Sequence, residues 1–443
     1  MADSGSARRD RRSLSSLFLA LRLPLFLLIT FHCTVAVAFS SWRSTQCPNE
    51  PGRRLHEATE SKECPVPGKI GLFEDEDSVM TWTVPPKCLD QESKKNNSSS
   101  RIECLFTSAE FRNGHGISLV TSPNSISHLV GLEAFVDKPL PPSRASREDD
   151  GSVGLAYEIV PVEGKGLGVV ARRKIRRGEI IMVDVPTLLF SIPFLAETKP
   201  HHRRRILKRA LNQLPEETRN RVYALSRGSS PYEIDAIMGP NANTVAISGD
   251  EVHFGLFTEV ARINHACRPN AYYRFSERRL TMEVVAFRAI EPGEEILMSY
   301  VPLETPLEER RRYLKDHWGF ECTCSLCLAS QLDLDNSRIW REKVQSLKQT
   351  IPDARSEGYY QHAITMTEEW LMVSEWDMTP PLMAEYYDTL ADLYFLKGDM
   401  VNATRYARMA VDDWVRLGSV DDEQLEKSRL FLHHIESLNQ EKK

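Results

Sequence analysis

Three cysteines stand close together late in the chain, as Cys322-Thr323-Cys324-Ser325-Leu326-Cys327, directly after Trp318-Gly319-Phe320-Glu321. Three thiolates in C-x-C-x-x-C spacing cover three corners of a tetrahedral zinc site, and a closed structural site takes a fourth protein ligand. Cys267 is the only other cysteine in the C-terminal two-thirds. The pattern therefore predicts one structural zinc held by Cys267, Cys322, Cys324 and Cys327, tying the late segment back to Arg262–Asn270. Residues so close in sequence pair poorly with one another as disulfides. Tyr300 closes the apolar run Ile296–Tyr300, where a phenol could orient a reacting group. Gly164-Lys165-Gly166-Leu167-Gly168 is a glycine turn that lets backbone pass close to a ligand. A dinucleotide loop would need a helix to open there. The next residues, Val169-Val170-Ala171, are strand-like instead.

These residues need elements to hold them. At 443 residues and 41% hydrophobic content the chain is long enough for two or three domains with real cores. Acidic residues outnumber basic ones by 62 to 56, a net charge of −6, which gives no general pull toward nucleic acid or anionic membrane. Short runs rich in β-branched and apolar residues, punctuated by glycine and proline, predict strands at 157–160, 169–171, 180–183, 280–286 and 296–300. A charged helical insert, residues 200–228, interrupts them, with Ile206, Leu207, Ala210, Leu211 and Leu214 on its buried face. Its basic run from Arg203 to Arg209 reads as a solvated face, because acidic residues follow and no aromatics interleave. From about Leu334 the pattern is helical, and residues 331–443 form a separate helical domain. Residues 382–396 and 400–417 predict two antiparallel helices joined at Lys397-Gly398-Asp399. Leu390, Leu393, Tyr394, Ala403, Tyr406, Ala407 and Ala410 fall where a tetratricopeptide unit puts its interdigitating residues. Such a TPR-like domain could dock a protein partner.

The N-terminal part reads as an address and an extension. Arg8, Arg9, Arg11 and Arg12 lead an apolar stretch that ends in the small-x-small site Ala36-Val37-Ala38, so residues 1–38 are expected to be a cleaved signal peptide. Arg22 and Pro24 interrupt that stretch and argue against a stable membrane span. Residues 39–150 read as a partly disordered extension with one ordered piece near Leu105–Val120. It carries overlapping glycosylation sequons at Asn96 and Asn97 and four cysteines, Cys47, Cys64, Cys88 and Cys104, open to three disulfide connectivities. Together these features predict a secretory route.

Asn264-His265-Ala266-Cys267-Arg268-Pro269-Asn270, preceded by Gly255-Leu256-Phe257 and followed by Gly293-Glu294-Glu295-Ile296-Leu297-Met298-Ser299-Tyr300, resembles the core of a SET domain. The glycine turn at 164–168 resembles that family's entry motif, and the late cysteines resemble its post-SET cluster. The resemblance covers about Tyr157 to Leu328 and lies nearest the SET and MYND lysine methyltransferases, although no cysteine- and histidine-dense MYND finger interrupts this chain. It implies an α+β fold of short sheets with a pseudo-knotted core over residues 151–330, followed by the helical domain. It also implies S-adenosylmethionine as cofactor and a protein substrate with a target lysine.

The resemblance places Lys165, Gly166, Asn243, Asn264, His265 and Phe320 against the cofactor, the amide of Asn264 serving its ammonium end and Phe320 its adenine. It makes Tyr300 the catalytic residue. Methyl transfer from sulfonium to amine is an in-line displacement that needs alignment above all. A buried phenol supplies alignment by orienting the amine and by weak C–H···O contacts to the methyl group. Trp318 stands where the subfamily has a tyrosine. It can wall a lysine channel, but its indole donates a hydrogen bond and accepts none. A SET-fold scaffold that has lost activity and works through its helical domain is the competing reading. S-adenosylmethionine is made in the cytosol, so the secretory address and the chemistry make opposing demands on compartment.

Overall fold

The structure is a computed structural model and describes residues 82–89, 102–130, 134–135, 154–247, 251–303, 305–377, 383–418 and 423–441. The expected signal segment, Cys33, Cys47, Cys64 and both sequons lie outside the described residues. Cys88 and Cys104 form a disulfide.

Strands appear where β-branched and apolar runs are broken by turn residues, and among the described residues they assemble into three sheets. The largest has the order β1 (Val84–Cys88), β2 (Cys104–Ser108), β3 (Ile117–Thr121), β7 (Leu188–Ser191), β9 (Glu251–Leu256) and β8 (Ala242–Ile247). Side chains alternate faces along a strand. That alternation sends Phe106 and Leu119 into one core, with Trp82 and Phe257, and Leu105 and Val120 into a second, with Leu207, Leu211 and Phe194. Burial on both faces explains why β2 and β3 are buried throughout. β3 pairs in parallel with β7, Ser118 opposite Leu188 and Val120 opposite Phe190, so the ordered piece of the N-terminal extension lies inside this sheet.

The second sheet runs β10 (Asn264–His265), β13 (Glu295–Met298), β5 (Gly166–Ala171) and β4 (Tyr157–Val162). The third runs β11 (Ala271–Ser276), β12 (Thr281–Ala286) and β6 (Ile180–Asp184). Both contribute apolar faces to the core that holds Val169, Met182, Val284 and Ile296.

Helix α1 (Pro123–Val130) follows β3, and the short α2 (Ile192–Glu197) follows β7 with Ser191 capping it by accepting from the Phe194 N–H. The insert is two helices rather than one, α3 (Pro200–Asn212) and α4 (Glu216–Tyr223). Proline has no N–H and clashes with the preceding turn, so Pro215 ends the first helix and opens the second. Ile206, Leu207, Ala210, Leu211 and Leu214 are buried as expected. Of the basic run, Arg204 pairs with Asp235 at 3.1 Å and lies over the Tyr232 ring. Helix α5 (Glu233–Asn241) leads into β8.

Beyond β13 come α6 (Leu307–Trp318), then α7 (Gln331–Ser356), α8 (Tyr360–Asp377), α9 (Ala384–Lys397), α10 (Met400–Leu417) and α11 (Glu423–Glu441). Ser330 caps α7 and Asp399 caps α10, each accepting from a backbone N–H three residues on. Leu390, Leu393 and Tyr394 of α9 meet Tyr406 of α10, while Ala391, Ala403 and Ala407 let the helices approach closely. The end of α10 docks on the third sheet. Arg177 pairs with Asp413 at 2.6 Å, the Tyr272 hydroxyl donates to the Leu417 carbonyl, and Arg274 donates to the carbonyl of Gly418. Among the described residues, no helix is long and apolar enough to cross a membrane.

Candidate active site and metal centre

Residues 264–270 are held on β13 by a short parallel pairing, Asn264 opposite Leu297 and His265 opposite Met298. Asn270 locks the loop. Its amide donates to the Glu294 carboxylate at 3.1 Å and the Glu295 carbonyl at 2.9 Å, while its Oδ1 accepts from the Leu297 N–H at 2.8 Å. Asn270 is buried, so these bonds also satisfy groups that would otherwise be costly to bury. The result sets Asn264 and His265 beside the end of β13, from which Tyr300 emerges.

Tyr300 donates its hydroxyl to the Ile263 carbonyl at 2.8 Å, and its backbone N–H donates to His265 Nδ1 at 3.0 Å. Burial, reinforced by the nearby Glu295 carboxylate, pushes the phenol well above its ordinary value, so it stays protonated. Burial likewise lowers His265 to about 4. With Nδ1 accepting, the neutral ring carries its proton on Nε2, which lies 3.4 Å from Cys267 Sγ. Trp318 and Phe320 complete a ring-lined group, their centroids 5.1 and 6.4 Å from Tyr300, with His265 at 5.3 Å. Trp318 Nε1 donates to the Pro240 carbonyl at 2.9 Å, which fixes the ring and uses its one donor. Gly319 ends α6 with φ +78, a left-handed turn that suits glycine and aims Phe320 toward His265 at 6.2 Å.

A second, polar group lies around Glu295. Its Oε2 accepts from Lys165 Nζ at 2.6 Å and its Oε1 from the Asn264 amide at 2.9 Å, and that amide also donates to the Leu167 carbonyl at 3.1 Å. A Cβ on Gly168 would sit 2.6 Å from Val162, 2.8 Å from Asn264 Nδ2 and 2.9 Å from Glu295 Oε1. Only glycine lets β5 pass this close to the two polar side chains. Gly166 opens β5 on the same turn. Asn243 stands in neither group: it lies on β8, and its amide donates to the Asn241 carbonyl at 3.4 Å. Glu295 and Asn270 lie within the SET-like motifs, and residue type alone gives them no role; their partners come from distant segments.

The four late cysteines converge as predicted. Cys267 Sγ lies 3.6 Å from Cys327 Sγ and 4.0 Å from Cys322 Sγ, and all four sulfurs lie within 4.8 Å of one another. Tetrahedral Zn–S bonds of about 2.3 Å put sulfurs roughly 3.8 Å apart, against about 2.05 Å in a disulfide. The donor set and spacing therefore fit zinc. Arg341 of α7 donates to the Cys267 carbonyl at 3.3 Å and Arg311 of α6 to that of Cys327 at 3.2 Å.

This arrangement has relatives. Residues 166–301 match the SET domain family, and the chain carries a SET domain in an α+β fold. It is similar to the histone-lysine N-methyltransferase set5 of Schizosaccharomyces pombe, 33% identical over 171 residues, 39% of this chain and 50% of that protein. The human histone-lysine N-methyltransferase SMYD3 is 32% identical over 122 residues, 27% of this chain and 28% of that protein. Mouse histone-lysine N-methyltransferase Smyd1 is 28% identical over 205 residues, 39% of this chain and 41% of that protein. The chain spans half or less of the length of these relatives.

Proposed function

We propose that this protein is an S-adenosylmethionine-dependent protein-lysine N-methyltransferase with one structural zinc. The observation that carries the reading is the adjacency of the two groups: a protonated phenol in a ring-lined site beside a glycine cradle edged by Asn264, Glu295 and Lys165, all within or next to the SET match.

The cofactor would lie along Lys165, Gly166, Asn264, His265 and Phe320, and when bound it supplies an electrophilic methyl group. Asn264 and Glu295 offer hydrogen bonds to an ammonium group, and Gly168 lets both side chains pack against β5. Tyr300, Trp318 and Phe320 form walls that exclude water, and desolvation favours the neutral amine of an entering lysine. Since the Tyr300 hydroxyl spends its proton on Ile263, its oxygen lone pairs are left to accept from that amine. Trp318 adds no second acceptor. Cys267, Cys322, Cys324 and Cys327 would hold the zinc, which fixes Phe320 and Trp318 against the Asn264–Asn270 loop. Incubating the protein with methyl-labelled cofactor and a lysine-containing protein mixture tests the activity, and metal analysis tests the zinc at one equivalent per chain.

Three further assignments extend this reading. The substrate is a protein with a target lysine, recognised without nucleic acid. The helices from α7 onward make a TPR-like unit that can dock a protein partner, supported by the α9–α10 interdigitation. The N-terminal segment directs the chain to the secretory route, supported by the Cys88–Cys104 disulfide, a bond favoured in oxidising compartments. N-terminal sequencing of the native protein tests this last assignment: a start near residue 39 is expected, and an intact Met1 or Ala2 on unglycosylated cytosolic protein contradicts it.

A further inference from the structure

Outside the two groups, one buried carboxylate is placed to act on Tyr300 from a distance. Asp184 closes β6 and is 5% exposed. Its Oδ2 accepts from the backbone N–H of Glu259 at 2.7 Å and of Val260 at 3.1 Å, and its Oδ1 from that of Val185 at 2.9 Å. Glu259 and Val260 open the single 3₁₀ turn Val260–Arg262, which has no capping side chain of its own. Asp184 therefore caps that turn from a strand some 75 residues earlier. A second restraint comes from β4, where Tyr157 donates its hydroxyl to Glu259 Oε2 at 2.7 Å.

The turn's exit is what matters for the site. The Arg262 N–H donates to the Glu259 carbonyl at 2.9 Å and the Ile263 N–H to that of Val260 at 3.0 Å. The next carbonyl, that of Ile263, is the one that receives the Tyr300 hydroxyl at 2.8 Å. Keeping a buried carboxyl in place has a cost: burial, with Glu259 adding to it, pushes Asp184 up to about 7 against the pull of its three N–H donors. Asn264 is pinned separately by β13 and by Leu167, so the cofactor side of the site does not depend on the turn in the same way.

We infer that Asp184 is a positioning residue for the Tyr300 hydroxyl, acting through the Val260–Arg262 turn and the Ile263 carbonyl. This rests on the methyltransferase reading for its kinetic consequence but not for its structural one. Loss of the cap lets the turn and its carbonyl shift, so the phenol oxygen no longer holds the direction an amine requires. Asparagine keeps the shape but offers one acceptor oxygen in place of two and turns an N–H toward a backbone N–H.

The test uses the full chain. Asp184→Asn is expected to lower kcat about tenfold, with KM for the protein substrate and cofactor affinity within twofold of wild type. In a Tyr300→Phe background the same substitution should have no further effect on kcat, because the group it positions is gone. Equal losses of kcat in both backgrounds, or a kcat within twofold of wild type, would overturn the inference while leaving the methyltransferase reading intact. A readout free of turnover accompanies this. With 13Cζ-labelled tyrosine, the Tyr300 resonance, assigned by its absence in Tyr300→Phe, should shift in Asp184→Asn, and an unmoved resonance also overturns the inference. Should wild type transfer no methyl group, the functional reading falls and the resonance alone decides the positioning. If Asp184→Asn does not fold, Tyr157→Phe removes the other restraint on Glu259 and should move the Tyr300 resonance in the same way, by less.

Discussion

The two halves of the site are built by different means. The ring-lined half, His265, Tyr300, Trp318 and Phe320, draws on three segments and holds together through packed rings and three hydrogen bonds to or from backbone groups. The polar half, Lys165, Asn264 and Glu295, is closed by charge-assisted bonds as short as 2.6 Å around a glycine that admits no side chain. The first half keeps its titratable groups neutral: Tyr300 protonated, His265 lowered to about 4. The second keeps groups able to meet charge. A methyl-transfer enzyme needs both kinds of surface, one for a neutral amine and one for a charged cofactor tail. The contrast predicts that substitutions in the two halves will have different effects.

The largest effect should come from the element that joins the halves. Cys324→Ser removes one of the four thiols proposed to hold zinc, and because metal binding is coupled to folding the loss should reach several kcal/mol. Metal content should drop from one equivalent, melting should come earlier, and both halves should fail together. A variant that keeps its metal and its melting temperature would break the assignment.

Next in size is Tyr300→Phe. The ring still packs against Trp318 and Phe320, so cofactor affinity should hold while transfer falls about a hundredfold or more, the scale of an angstrom of misalignment. Near-wild-type turnover would show that the phenol oxygen is not the orienting group.

Asn264→Ala addresses the other half. Loss of the amide leaves Glu295 and a bound ammonium short of a partner, which should weaken cofactor binding by about 1–3 kcal/mol in calorimetric titration. At saturating cofactor kcat should recover most of its value. A large kcat defect with unchanged affinity would mean that the halves are not separable.

The smallest effect expected at neutral pH concerns a residue in neither half. Burial, helped by the Arg221 charge, lowers His115 to about 4. An unfolded histidine takes its proton near 6.5, the folded one resists until about 4, so its contribution is complete above about pH 6.5 and is lost as pH falls toward 4. His115→Gln should flatten the fall of stability over that window, by at most about 1.4 kcal/mol per pH unit, and leave cofactor affinity at neutral pH unchanged. Denaturant melts at a series of pH values would check this.

Much of the site could be read from local patterns. Cysteine spacing forecast a four-sulfur cluster that the fold does assemble, and the strands at 157–160, 169–171, 180–183, 280–286 and 296–300 appear close to their expected bounds. Those features are written in neighbouring residues. Pairing between distant segments is not. The parallel pairing of β3 with β7, which carries the 105–120 piece into the large sheet, joins residues about 70 apart and leaves no periodic trace. The partnership of Glu295 with Lys165 spans 130 residues, and the capping of a turn by Asp184 spans 75. In each case residue type was visible but partner was not.

The most direct test of the central claim is methyl transfer itself. Purified protein incubated with methyl-labelled S-adenosylmethionine and a protein extract should place label on lysine ε-nitrogen, mapped by mass spectrometry, and Tyr300→Phe should lose that label while still binding cofactor. Label confined to other side chains, or a wild type that binds no cofactor and labels nothing with its zinc in place, would contradict the account.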